Sequence, residues 1–175
     1  MATFIPPLSY ERMLQRWESF LAETTTNSRV IIISLSPVSE RHGSGTELMP
    51  PFDAAEWPVL AEEPKLEVSG VISLSLPASE TGPFRANVQN LFVSRFHRRR
   101  GTASALMLEL EEQARKNDRW NLILDTTVGT GAEQLYPKLG WERLGVVREY
   151  GISPKDGRLL DEVFFWKDIR QPAHP

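Results

Sequence analysis

The amino-acid sequence predicts an α/β domain, with a mixed central sheet and helices on both of its faces. Short apolar runs rich in β-branched residues alternate with segments of helical periodicity, and a strand-loop-helix order recurs in the second half. The chain has 175 residues, 41% of them hydrophobic, enough for one buried core.

Tyr10, Met13, Leu14, Trp17 and Leu21 recur at helical spacing, with Ser9 as candidate N-cap and Glu11 in the first turn. The run Arg29 to Leu35, centred on Val30-Ile31-Ile32-Ile33, reads as a strand buried on both faces. Its expected hairpin partner is Leu66 to Leu76, where Val68, Gly70, Ile72, Leu74 and Leu76 alternate with other residues. Between them, residues 36–65 are rich in Pro, Gly, Ser and Glu without periodicity and read as an insertion, either a surface loop or a lid.

Ala86 to Val93 is the next expected strand. The helix after it carries Ala103, Leu106, Met107, Leu110 and Ala114 on one face, with Glu109, Glu111, Glu112, Arg115 and Lys116 away from it. Asn121 to Thr126 follows as a strand that can lie parallel to Ala86 to Val93. A second helix is expected from Ala132 to Leu139, with Thr130 and Glu133 at capping-box spacing and Gly140 as a left-handed C-cap. Trp141 to Tyr150 and Leu159 to Trp166 close the fold around Asp156-Gly157. One domain is expected over residues 1–170, with a flexible tail at 171–175.

Composition narrows the chemistry. A formal charge of −3 gives no global reason to expect nucleic acid as partner. Zero Cys excludes an acyl-cysteine intermediate and thiolate metal sites, and His42, His97 and His174 are too scattered to suggest a metal set. The start, Met1 to Tyr10, lacks a signal-peptide pattern, and no run is long enough to span a membrane. A cytoplasmic protein is expected.

The most informative segment is Arg98 to Ser104. It combines Arg98, Arg99 and Arg100 with Gly101 and a helix start at Thr102, Ala103 and Ser104. A helix N-terminus offers N–H groups and partial positive charge, and glycine lets the backbone approach an anion, so the loop suits a diphosphate. The alternatives are a solvated basic cluster or nucleic-acid contact, the latter disfavoured by the acidic helix that follows.

Arg98-x-x-Gly101-x-Ala103, set between a strand and a helix, resembles the Arg/Gln-x-x-Gly-x-Gly/Ala signature of the GNAT N-acetyltransferases. Ala132-x-x-x-Tyr136-x-x-x-Gly140-Trp141 resembles a second motif of that family. The stretches Arg85-Ala86-x-Val88-Gln89-x-Leu91-x-Val93, Leu124-Asp125-Thr126 and Pro154-x-Asp156-Gly157-Arg158-Leu159 are most similar to the tabtoxin-resistance type.

The resemblance implies an acetyl-CoA-dependent transfer to an amine of a small molecule or peptide, by direct attack in a ternary complex. It implies that Leu91, Phe92 and Val93 hold the pantetheine arm and that the 98–104 loop holds the pyrophosphate. Tyr136 is then the candidate acid for the departing thiolate. Asp125, ending a buried strand, is the candidate to orient or deprotonate the acceptor; the alternative is an Asp capping the backbone of Thr127 or Val128. Asn87 and Gln89 are candidates for acceptor contact, although a Gln here can equally satisfy neighbouring backbone. His97 reads as an exposed loop residue, and Trp141 as core.

Three departures stand out. Asn87 occupies a place where the subgroup has Glu, Gly129 one where the family often has Asn, and the family's usual first strand and helix have no counterpart before Tyr10. An uncovered sheet edge would favour a homo-oligomer. The competing reading is a catalytically silent acyl-CoA-binding module.

Overall fold

In a computed structural model of the chain, residues 9–37 and 66–170 are described. The expected insertion beyond Pro37 and the 171–175 tail lie outside them. The elements are α1 (Tyr10–Thr25), β1 (Arg29–Pro37), β2 (Leu66–Ser75), β3 (Arg85–Val93), α2 (Thr102–Lys116), β4 (Asn121–Thr127), β5 (Glu142–Ile152) and β6 (Leu159–Asp168). They form one sheet in the order β1-β2-β3-β4-β6-β5. Every neighbouring pair is antiparallel except β3 and β4, which are parallel. The α2 crossover makes that parallel pair possible. No strand precedes α1 among the described residues.

The two sheet faces differ in chemistry because side chains alternate along each strand. One face carries Ile72 and Leu74 of β2, Ala86 and Val88 of β3, Leu122 and Leu124 of β4, and Val163 and Phe165 of β6. It packs on Leu106, Met107, Leu110 and Ala114 of α2. Burying each large side chain here stabilises the fold by about 1.5–3 kcal/mol. The opposite face carries Ser73, Asn87, Gln89, Asp125 and Glu162 by the same alternation. There the Arg29 guanidinium lies 4.1 Å from the centre of the Phe20 ring of α1 and donates to Ser73 Oγ. The helices therefore sit on opposite faces, as expected.

Several local expectations need correction. β1 is an edge strand, not one buried on both faces: Ile33 and Leu35 are exposed, because α1 covers little of it. Phe20, outside the expected stripe, is the buried residue of α1, drawn in by Arg29, while Leu14, Trp17 and Leu21 are exposed. In β4, read from its apolar Leu122-Ile123-Leu124 run as buried throughout, Ile123 is only half-buried, on the face away from α2. Glu111 is buried rather than solvated, and its carboxylate receives Lys167 Nζ at 2.7 Å.

The segment expected to be a helix from Ala132 to Leu139 forms turns and one 3-10 turn, Tyr136–Leu139. Pro137 supplies no N–H to an α-helical ladder. The capping box does not form either. Glu133 accepts from the Gly129 N–H, and the Thr130 hydroxyl donates to the Thr127 carbonyl. Gly140 does close the turn in the left-handed conformation, φ 77°. No helix among the described residues is long and apolar enough to cross a membrane.

Candidate active site

The parallel pair opens a site in the sheet. β3 and β4 are paired only where Arg85, Ala86 and Asn87 meet Asn121, Leu122 and Ile123. That end is held shut by Phe84, whose ring stacks on Trp120 at 4.4 Å and whose carbonyl receives the Trp120 and Asn121 N–H groups. Beyond Asn87 the two strands share no ladder, so the edge of β3 that faces β4 is left without a β-partner. A bulge adds to the divergence. Ser73 opposes Gln89 and Val71 opposes Phe92, and Asn90 between them adopts φ 57° with its amide donating to Ser73 Oγ.

A groove of about 660 Å³ runs along this opening. One wall is Leu91, Phe92 and Val93 of β3, and the other is Gly131, Ala132, Gln134, Leu135 and Lys138. Its head is the basic loop, through His97, Arg98, Arg99, Gly101, Thr102, Ala103 and Ser104. Arg100 is exposed and does not line it.

The loop geometry follows from its residues. Gly101 has φ 83°, and a Cβ there would meet nothing within 4 Å, so the glycine is needed for its backbone angle and leaves its surroundings open. The first i to i−4 bond of α2 runs from the Ala105 N–H to the Gly101 carbonyl. The N–H groups of Thr102, Ala103 and Ser104 precede it and point out of the helix start. With Arg98, Arg99 and Lys138 alongside, the head of the groove has the donors and charge of an anion site. Arg98 Nε meanwhile donates to the Val93 carbonyl at 3.3 Å.

His97 corrects an expectation. It is 3% exposed, and its Nε2 lies 2.7 Å from Glu67 Oε1 on β2. With the Ser94 N–H donating to the Ser69 carbonyl, this contact ties the loop to the sheet.

Tyr136 and Asp125 lie beside the groove rather than on its lining. Tyr136 is buried against Phe165 and Trp141, between the groove residues Leu135 and Lys138. Burial, reinforced by the negative charge of Asp125, pushes its hydroxyl up to about 12, so it stays protonated at neutral pH and can donate. Its turn is fixed from below by Lys167 Nζ, which donates to the Leu139 carbonyl and to Glu111. Trp141 is core, as expected.

Asp125 is half-buried on the face of β4 away from α2. It does not cap Val128, whose N–H donates to the Asp161 carbonyl. Asn87 shares that face, opposite Ile123 in the register. Gln89 also lies there, but its amide oxygen accepts from Arg29, which is itself paired with Glu23.

One residue escaped the sequence reading. Glu162 of β6 is 1% exposed and lies diagonally across the β4–β6 ladder from Asp125, on the same face. Burial and then that neighbour raise its carboxyl to about 7. The signal available in the sequence is an acid directly preceding the apolar run Val163-Phe164-Phe165-Trp166 of the closing strand. Among the described residues no group of His, Asp and Glu has metal-site geometry.

Comparison with known proteins places this architecture. The model of the acetyltransferase (GNAT) family matches residues 36–141, more than half of the chain. The ribosomal-protein-alanine N-acetyltransferase of Brucella melitensis is similar in structure, with TM-score 0.62, 22% identity, and 89% of this chain and 78% of that one covered. Arabidopsis thaliana NAA60, solved with acetyl-CoA, aligns with TM-score 0.51 and 16% identity over 60% of this chain and 68% of that one. An Acinetobacter baylyi structure described as an acetyltransferase gives TM-score 0.52 and 24% identity, covering 62% of this chain. The chain spans 61% of that protein's length. The parted parallel strands, the glycine-hinged basic loop and the family match agree, and the chain belongs to the GNAT acetyltransferase family.

Proposed function

We propose that this chain is an acetyl-CoA-dependent N-acetyltransferase acting on an amine of a small molecule or peptide, by direct attack in a ternary complex. The observation that carries the reading is the groove itself, an apolar strand edge leading to a cationic helix N-terminus. That is the order in which a pantetheine arm and a pyrophosphate follow one another. The residues fit the group. Leu91, Phe92 and Val93 would hold the arm, and the backbone from Arg99 to Ser104, with Arg98, the phosphates. When bound, the cosubstrate supplies an acetyl group activated as a thioester.

The chain's own groups divide the remaining work. Tyr136, kept protonated by burial, donates toward the thiolate that departs. Asp125 orients the amine and takes its proton. Asn87 and Gln89, on the same face, line the acceptor's approach. Carbonyl polarisation falls to a backbone N–H near the end of β3. Within the family, the Arg85–Val93 and Pro154–Leu159 patterns favour the tabtoxin-resistance type, and we place the reaction in the cytoplasm.

Calorimetric titration of acetyl-CoA, followed by thiol release in the presence of a panel of amines, tests the proposal. Binding with acceptor-dependent thiol release is expected. Binding without release for any amine would favour a silent acyl-CoA-binding module.

A further inference from the structure

Glu162 has a placement that core packing does not explain. Its carboxyl group is almost completely buried, and Oε2 has no donor on the protein. In the β4–β6 register Asp125 faces Phe164 and Thr127 faces Glu162, so Asp125 and Glu162 are diagonal neighbours on the acceptor face. The backbone makes room for this acid. A Cβ at Gly151 of β5 would overlap Glu162 Oε1, and Gly151 does not need its glycine for a left-handed φ. The site is therefore shaped around a buried carboxyl group on the face that Asp125 shares.

Two carboxyl groups can hydrogen-bond only when one carries a proton. A pair that shares a site also titrates as a unit, in steps belonging to both. Among the described residues Asp125 is the titratable group that acts on Glu162, from β4; Thr127 of the same strand and Val147 and Gly151 of β5 are its uncharged neighbours.

We propose that Glu162 is a positioning residue that makes Asp125 an effective proton acceptor, the two carboxyl groups working as one acid–base pair. This rests on the transferase reading above. In the step, an N–H bond of the acceptor's ammonium breaks, an O–H bond to Asp125 forms, and the pair passes from two negative charges to one. The proton is then held between Asp125 and Glu162, and the free amine keeps the electron pair with which it attacks. Glu162 thus supplies on β6 the second carboxyl group that Asn87 does not offer on β3. Its raised titration, to about 7, places the pair where a base is half-ready at neutral pH.

Carbon-13 NMR of the protein labelled at glutamate carboxyls tests the pair without cosubstrate. One glutamate is expected to titrate near neutrality, to vanish in Glu162→Gln, and to move toward the ordinary range in Gly151→Ala, where the methyl displaces its carboxyl. In the pH profile of kcat/KM, the rising limb should shift to lower pH by about one unit or more in Glu162→Gln, a tenfold change in proton affinity. Asp125→Asn should remove that limb. Absence of any neutral-titrating glutamate, or an unmoved limb in Glu162→Gln, overturns the proposal while leaving acetyl transfer standing. Failure of acetyl-CoA to bind the wild-type protein refutes the transferase reading instead, and the proposal with it.

Discussion

Replacing Gly70 by alanine probes how closely the start of α2 must approach the sheet for the loop to hold its shape. A Cβ at Gly70 would stand 2.9 Å from Leu106 Cδ1, 3.0 Å from the Phe92 carbonyl oxygen and 3.2 Å from Thr102 Cγ2. The leucine methyl can rotate away. The Phe92 carbonyl cannot, because it belongs to the β3 backbone, so β2 and β3 must part locally while Thr102 at the start of α2 gives way. Overpacking of this kind costs about 1–3 kcal/mol. Restricting the unfolded chain returns about 0.4–1 kcal/mol.

The net loss should be about 1–2 kcal/mol, or about 2–8 °C in Tm for a chain of this size. Phe92 and Thr102 both line the groove, so acetyl-CoA affinity should fall about fivefold as well, equivalent to about 1 kcal/mol. Scanning calorimetry and isothermal titration measure the two effects. Gly131→Ala, whose Cβ meets nothing within 4 Å, is the stability control and should keep Tm or raise it slightly, never lower it. A Gly70→Ala protein with unchanged Tm and unchanged affinity would refute the reasoning.

Glu162 should also leave a mark on stability. Its carboxyl titrates at about 7 in the folded chain against an ordinary 4.5, so the folded state holds the proton more tightly. Its contribution is intact below the ordinary value and is lost as pH rises to about 7, by about 3 kcal/mol at about 1.4 kcal/mol per unit. Glu162→Gln should therefore gain on the wild type between pH 5 and pH 8 in urea denaturation; an equal difference at both pH values contradicts this. Tyr136→Phe should lower kcat about 100-fold or more with little change in acetyl-CoA affinity, and full turnover would remove Tyr136 as the acid. Lys167→Met leaves buried Glu111 with only the longer 4.0 Å contact to Arg115 and should cost about 2–4 kcal/mol. The double variant with Glu111→Leu should recover much of that loss, and a strictly additive pair would show that the two are not coupled.

The central unit was legible because its signals are local. β3, the glycine loop, α2 and β4 follow one another without interruption, and the period of the apolar residues switches from two to 3.6 at Gly101. What sequence reading missed depends on distant partners. Phe20 is buried because Arg29, on a different element, lies over its ring. His97 is buried because Glu67, 30 residues earlier, receives it. Glu111 is withdrawn from solvent by Lys167, 56 residues later. The failed helix at Ala132 to Leu139 had its breaker in plain view at Pro137, outweighed there by the capping pattern and the terminal glycine. In the site, the residues of the basic loop could be named from their order alone, whereas the Asp125–Glu162 pair exists only through the β4–β6 register.

The most direct test of the account is isothermal calorimetry of acetyl-CoA into the purified protein at two salt concentrations, with Arg98→Ala and Gly101→Asp in parallel. Micromolar binding that weakens with salt and in both variants is the predicted result. No binding to the wild type, or equal affinity in all three proteins, would contradict the assignment of the Arg98 to Ser104 loop to the cosubstrate's phosphates.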